Sequence, residues 1–229
     1  MSMTSTPKIS VVIPCHNEAG GIAHCIQSAY GACSKANLTV EIIVVDNAST
    51  DNTKIRAQEA GARVVSEAQI GYGRALRRGF AEAHGDIIIF GDGDTTYDFN
   101  EIPRFVSLLK NADFVTGERR YLAPRSMPPL HKYIGRPLFA FIIRYIFGVP
   151  VYDSHSGFGA IKKNTLQQLV LTSTGMEFAS EILITAYRNN VQILSTPIYY
   201  APRIGKSKLH TFRDGLRHLH YMGKALLLP

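Results

Sequence analysis

The sequence predicts an α/β protein with a mostly parallel central sheet flanked by helices, and two observations carry that reading. Short β-branched runs alternate with longer amphipathic stretches at least four times through the first half. The runs IIVV and IIIF are apolar at every residue, so both faces of those strands need cover, which parallel strands joined by right-handed helical crossovers provide.

Taken in order, KISVVIP reads as the first strand and Glu18 to Cys33 as the helix after it. EIIVVD leads into a helix from Thr50 to Ala60, ARVVS into one from Tyr72 to His84, and DIIIFGD into one from Asn100 to Lys110, with ADFVTG as a fifth strand. The character then changes. Pro124 to Pro137 is rich in proline, with Arg125, His131, Lys132 and Arg136 interspersed, and LFAFIIRYIFGV follows with Arg144 as its one charge. That stretch is too short to span a bilayer; with Pro137 in its first turn it satisfies equally the pattern of a core helix and that of a helix lying on a membrane surface. GFGAIKK is a strand, Thr165 to Thr172 and Glu177 to Asn189 are helical, and VQILSTPIYY is a further strand. The basic loop APRIGKSKL and an amphipathic helix from Thr211 complete the pattern. No repeat or linker separates the parts, so residues 1–229 are expected to form a single domain with halves 1–118 and 119–229.

Composition limits the function classes. A 19% charged fraction and 45% hydrophobic content over 229 residues exclude a disordered chain and supply an ample core. Lys and Arg outnumber Asp and Glu by 25 to 18, and a net charge of +7 favours anionic partners without choosing among them. Cys15, Cys25 and Cys33 form an odd set with no CxxC spacing, and no apolar signal segment follows the first Met, which fits a cytoplasmic, reducing location.

In parallel α/β sheets ligands bind at the carboxyl ends of strands. Here those ends carry Pro14-Cys15-His16-Asn17-Glu18, Asp46-Asn47-Ala48-Ser49-Thr50-Asp51 and Asp92-Gly93-Asp94, three polar or acidic clusters on one edge. Asp92 and Asp94 directly after IIIFG, with Gly93 allowing close backbone approach, suit a hard divalent cation whose other positions stay open to phosphate oxygens. Ser49 or Asp51 suits a helix cap as well as a ligand contact. Other chemistries fail on their motifs. A dinucleotide-binding G-x-G-x-x-G is missing after the first strand; Gly205-Lys206-Ser207 lacks the leading glycine of a P-loop, with Tyr200 in its place; the eight histidines show no zinc spacing. No helix-turn-helix or RNA-binding signature is present, so no nucleic-acid partner is expected. Oligomeric state has no signal in the sequence.

The series PCHNE, VVDNASTDNT, GYGRALRRGF, DGDTTYDF, GERR, DSHSGFGAIKK, GMEFASEILI and RIGKSKL resembles family 2 glycosyltransferases of the GT-A fold. More narrowly it resembles the dolichyl- and undecaprenyl-phosphate sugar transferases, over about Ile9 to His220. The resemblance implies that Pro14, Asn17, Glu18, Asp46 and Asn47 contact the nucleotide and that Gly71 and Arg74 border the sugar nucleotide. It implies that Asp92, Gly93 and Asp94 hold Mn²⁺ or Mg²⁺ against the diphosphate. Thr96 stands where mannose synthases often carry Gln, leaving Asp98 or water as the remaining ligand. Arg119, Asp94 and Asp153 are implied as catalytic, Arg203 and Lys206 as donor-phosphate contacts, and Ser156 and Ser207 as acceptor-side residues beside Arg125, Lys132 and Arg136.

The implied reaction is inverting transfer of a hexose from a UDP or GDP sugar to a polyprenyl phosphate at the cytosolic membrane face. The membrane contact is expected to be peripheral, through Leu138 to Val149 and the last helix, or to lie in a segment beyond Pro229. A hydroxyl acceptor would need a base, with Asp153 the best candidate, and a catalytically silent sugar-nucleotide-binding protein is the third reading.

Overall fold

A computed structural model describes residues 9–205 and 211–227, the side chains of the last helix from Arg213 onward. Seven strands form one sheet: β1 (Ile9–Cys15), β2 (Val40–Asp46), β3 (Arg63–Ser66), β4 (Ile87–Phe90), β5 (Phe114–Leu122), β6 (Gly159–Lys162) and β7 (Ile193–Tyr200), in the order β3-β2-β1-β4-β6-β5-β7. Helices α1 (Ile22–Lys35), α2 (Thr53–Glu59), α3 (Tyr72–Glu82) and α4 (Ile102–Leu108) serve the first half. A helical rod containing α5 (Arg136–Phe141), then α6 (Lys163–Gln167), α7 (Phe178–Arg188) and α8 (Thr211–Leu227), serves the second.

The apolar runs are two-faced, as their sequence requires. Val11 and Ile13 of β1, Ile42 and Val44 of β2, and Ile89 of β4 pack into one core with Ile22, Ile26 and Phe105. Their alternate neighbours Val12, Ile43, Val45, Ile88 and Phe90 pack into a second core with Leu76, Phe178 and Ile182. The β1–β2, β1–β4, β2–β3 and β5–β7 pairs are parallel; β6 is antiparallel to both its neighbours. The chain leaves β5 at the ligand edge, lays residues 123–158 over it and re-enters the sheet from there, so β6 has to run backwards.

Three expectations shift. The first helix begins at Ile22 rather than Glu18, because Asn17 takes a left-handed φ of 55° and residues 17–21 form a turn over β2. The helix expected over Thr165 to Thr172 is confined to Lys163–Gln167, since Thr172 and Ser173 instead donate their backbone N–H groups to the Glu181 carboxylate. The apolar segment after Pro137, open between core and surface, lies at the surface with one face on the second core: Ile143 and Val149 are buried there with Phe139, Ile142 and Phe147 against them, while in the rod from His131 to Ile146 Tyr133, Ile134, Phe141, Tyr145 and Ile146 are more than half exposed. No helix among the described residues is long and apolar enough to cross a membrane.

Candidate active site

Register brings the acidic clusters together. Cys15 lies level with Asp46, and Val12 with Phe90, so the residues just past β1, β2 and β4 emerge on one edge. There they border a cleft of about 350 Å³ that reaches Pro14, Glu18, Asn47, Gly71, Asp92 and Asp94, and across from them Arg119, His155, Arg203, Arg213 and Arg217. A wider depression of about 560 Å³ at the amino end of β4, lined by Asp86, Lys162 and Lys163 among others, collects none of the predicted site residues.

The two carboxylates of the D-x-D triplet are held differently. Asp94 is buried; its Oδ1 accepts from the Thr96 backbone N–H (3.0 Å) and hydroxyl (2.6 Å), and its Oδ2 pairs with Arg203. Asp92 is bonded by the Tyr72 hydroxyl, and desolvation, with the negative charge of Asp94 close by, pushes its carboxyl up to about 8. Two carboxylates forced this close fit a divalent cation, whose charge relieves the crowding. Thr96 is spent on Asp94. Asp98 is exposed and caps the turn ahead of α4 by accepting from the Asn100 backbone N–H (2.9 Å). Among the described residues no group of three or more His, Cys, Asp or Glu side chains is placed to hold a metal ion.

The edge past β1, β2 and β3 is a web of loops pinned to one another. The Asn47 amide donates to the Glu67 and Gln69 carbonyls (3.0 and 2.9 Å), and its oxygen accepts from the Gly71 N–H (2.8 Å). The Asn17 oxygen accepts from the Thr50 N–H (2.7 Å), while Asp51 accepts from the Thr53 N–H (2.9 Å) at the start of α2. Asn17 and Asn47 therefore build the binding edge with the side-chain atoms expected to touch a nucleotide. Asp46 differs: its Oδ1 is buried with no hydrogen-bond partner, a condition that a bound donor group would relieve. Gly71 and Gly73 are glycines for space. A Cβ at either would stand 2.3–2.4 Å from the carbonyl oxygens of Thr174 and Ser173, where the 173–175 loop bonds back to Gly73 and Arg74.

The opposite side of the cleft rests on two buried polar knots. Arg119 grips Asp153 through Nε (2.7 Å), Nη2 (2.8 Å) and its backbone N–H (3.1 Å), with its guanidinium 5.3 Å from the Tyr200 ring. Although burial opposes it, that guanidinium holds the Asp153 carboxyl down at about 2. In the second knot His155 Nε2 and His218 Nδ1 are 2.9 Å apart; the Ser154 hydroxyl lies 2.8 Å from His155 Nδ1, the Ser180 hydroxyl lies 2.8 Å from the same His218 Nδ1, and burial drives His218 down to about 4. The pair joins the 153–157 loop to α7 and α8.

Of the remaining predicted residues, Arg136 donates to the Arg119 carbonyl, the Ser156 hydroxyl lies 3.4 Å from the Phe158 N–H, Lys132 lies over Tyr133, and Arg125 is exposed at a left-handed φ of 61°. Neither these nor Asn17, Asp46, Arg74 or Asp153 lines the cleft. Lys206 and Ser207, with Lys208, lie outside the described residues. Sequence reasoning missed Tyr72, His155, Arg213 and Arg217. The one available signal was the four-residue spacing of the last two, which puts them on one helix face.

The seven-stranded, mostly parallel sheet with an acidic pair at its carboxyl edge is a GT-A fold. The chain belongs to glycosyl transferase family 2, whose profile matches residues 10–169. It is 40% identical over 220 residues to the low-salt glycan biosynthesis hexosyltransferase Agl6 of Haloferax volcanii, covering 94% of this chain but 53% of that protein, so the chain spans about half of that relative's length. It is 30% identical over 177 residues to a dolichyl-phosphate hexose transferase of the same organism, covering 76% of each. Glucosyl-3-phosphoglycerate synthase of Mycobacterium tuberculosis, in complex with Mn²⁺, UDP and glucosyl-3-phosphoglycerate, superimposes with a TM-score of 0.69 at 26% identity, over 95% of this chain and 76% of that one.

Proposed function

We propose that the chain transfers a hexose, with inversion, from a nucleoside-diphosphate sugar to a polyprenyl phosphate at the cytosolic face of a membrane. The observation that carries this reading is a single cleft with the Asp92–Asp94 pair on one side and arginines on the other, close to helices whose apolar side chains are exposed. The dolichyl-phosphate relative and the Mn²⁺–UDP complex of the structural neighbour support it.

In this reading Asp46 receives the base through its orphan oxygen, Glu18 and Gly71 border the ribose and diphosphate, and Arg203 exchanges Asp94 for the donor phosphates. Bound Mn²⁺ or Mg²⁺ would supply positive charge at the β-phosphate, where negative charge develops as the sugar leaves. The acceptor phosphate oxygen forms the bond to the anomeric carbon, and the bond to the diphosphate breaks with its electron pair going to the diphosphate. An ionised acceptor has no proton to lose. Asp153, buried and held near pKa 2 by Arg119, is a poor base, and this favours a phosphate acceptor over a hydroxyl. Arg119 and Asp153 then shape the floor under the reacting sugar. The exposed Phe141, Tyr145, Leu216 and Leu219 suit a peripheral membrane contact.

The test is transfer of radiolabel from UDP-glucose or GDP-mannose to a polyprenyl phosphate with Mn²⁺, read as organic-extractable product. Product is expected with the wild type and a loss of about 10²–10³-fold in Asp94→Asn. Label that moves only onto a hydroxyl acceptor, or metal-dependent UDP binding without turnover, overturns the proposal.

A further inference from the structure

Helix α8 carries three distinct stripes. Asp214, His218, Met222 and Ala225 are buried, and Leu216, Leu219, Leu226 and Leu227 are exposed on the other side. At 3.6 residues per turn, Arg213 and Arg217 fall together on the border between those stripes, and both reach the cleft. The buried stripe fixes the helix: His218 locks onto His155 and Ser180, and the Arg188 guanidinium bonds the Ala225 carbonyl.

The other cations of the cleft are already engaged. Arg119 is bidentate on Asp153, and Arg203 is on Asp94. Arg217 makes no ion pair within 4 Å among the described residues; its Nη1 and the Glu177 carboxylate share the space that a side chain at Gly175 would take, 2.7 and 2.6 Å from that Cβ position. Arg213 has only a loose, 3.7 Å approach to its neighbour Asp214, and its side chain is 62% exposed. Two guanidiniums one turn apart present paired donors suited to the oxygens of a phosphomonoester. They stand on a different wall from Asp92 and Asp94, since α8 packs on α7 and the 153–157 loop.

We infer that Arg213 and Arg217 form the acceptor-phosphate site: a phosphomonoester is held between them and turned toward the metal edge, with its hydrocarbon tail leaving over the Leu216–Leu219 stripe. This deepens the proposed function and rests on it for the identity of the tail. Charge on the acceptor thus meets charge on α8, while the donor keeps Arg203.

The test is direct binding, which does not depend on turnover. The intact chain, saturated with Mn²⁺ and UDP, is titrated with a short-chain prenyl phosphate and, separately, with 3-phosphoglycerate, by calorimetry. Arg217→Gln and Arg213→Gln are each expected to weaken prenyl phosphate about tenfold or more. Arg217→Lys should recover part of that loss, Lys224→Gln should match the wild type, and UDP–Mn²⁺ affinity should stay unchanged. In turnover the acceptor KM rises while the donor KM holds. Wild-type-like prenyl phosphate binding in both Gln variants overturns the site, and so does a loss of UDP affinity instead. If the wild type binds only 3-phosphoglycerate, and the Gln variants lose it, the arginine pair stands as a phosphate site and the lipid reading falls.

Discussion

The donor and acceptor sides of the cleft are built on opposite plans. On the donor side, short loops past β1, β2 and β4 are pinned by side-chain bonds to backbone, with Asn17, Asn47 and Thr96 each closing two or more contacts. On the acceptor side, two buried side-chain knots, Arg119–Asp153 and His155–His218, lie beneath a surface of exposed cations and apolar residues. The difference teaches where each side can vary. A lattice of backbone contacts presets one shape, whereas a firm base under exposed side chains leaves the surface free to change without disturbing its support.

The largest effect is expected at the first knot. Arg119→Ala strands a buried carboxylate and should cost about 3–5 kcal/mol in urea unfolding, while Arg119→Met with Asp153→Leu should recover much of it. Asp153 also sets an acid limit. Its folded pKa is depressed from 3.8 to about 2, so its stabilisation is present above pH 4 and fades as pH falls toward 2, by about 2 kcal/mol in all. A smaller cost for Arg119→Ala than for donor-side changes would break the contrast.

The second knot should act at milder pH. His218 is neutral in the fold down to about pH 4 but charges near 6.5 once unfolded. The unfolded chain then binds the extra proton, and stability should drop by about 3 kcal/mol between pH 6.5 and 4. Thermal melts across that range should show it, and His218→Gln should flatten the curve. An unchanged slope would remove the histidines from the account.

The smallest effect tests the donor lattice. Asn47→Ala releases one N–H and two carbonyls that water can partly reach, for an expected loss of about 1–3 kcal/mol, together with weaker UDP–Mn²⁺ binding from a loosened Gly71 loop. A donor affinity equal to wild type would mean that the loop is shaped by something other than this amide.

Most strands and helices were legible because apolar periodicity is a local property, and the runs KISVVIP, EIIVVD and DIIIFGD state two-sided burial outright. Asp92 and Asp94 were legible because their position after such a run already places them at the ligand edge. The bracing of loops by Asn17 and Asn47 was not legible, since a side chain's partner lies in another loop, 33 or 24 residues away. The surface lie of residues 131–146 was open for the same reason: an apolar stretch with a single charge, Arg144, fits a core or an interface equally until its neighbours are known.

The sequence by itself therefore determined the α/β class, the order of elements and the acidic edge, each of which follows from spacing along the chain. Only the tertiary structure decided that Asp153 is neutralised by Arg119, that His155 meets His218 across 63 residues, and that Arg213 and Arg217 reach the cleft. Charge, burial and hydrogen bonding depend on what lies within a few ångströms, and chain separation says little about that until the sheet has closed.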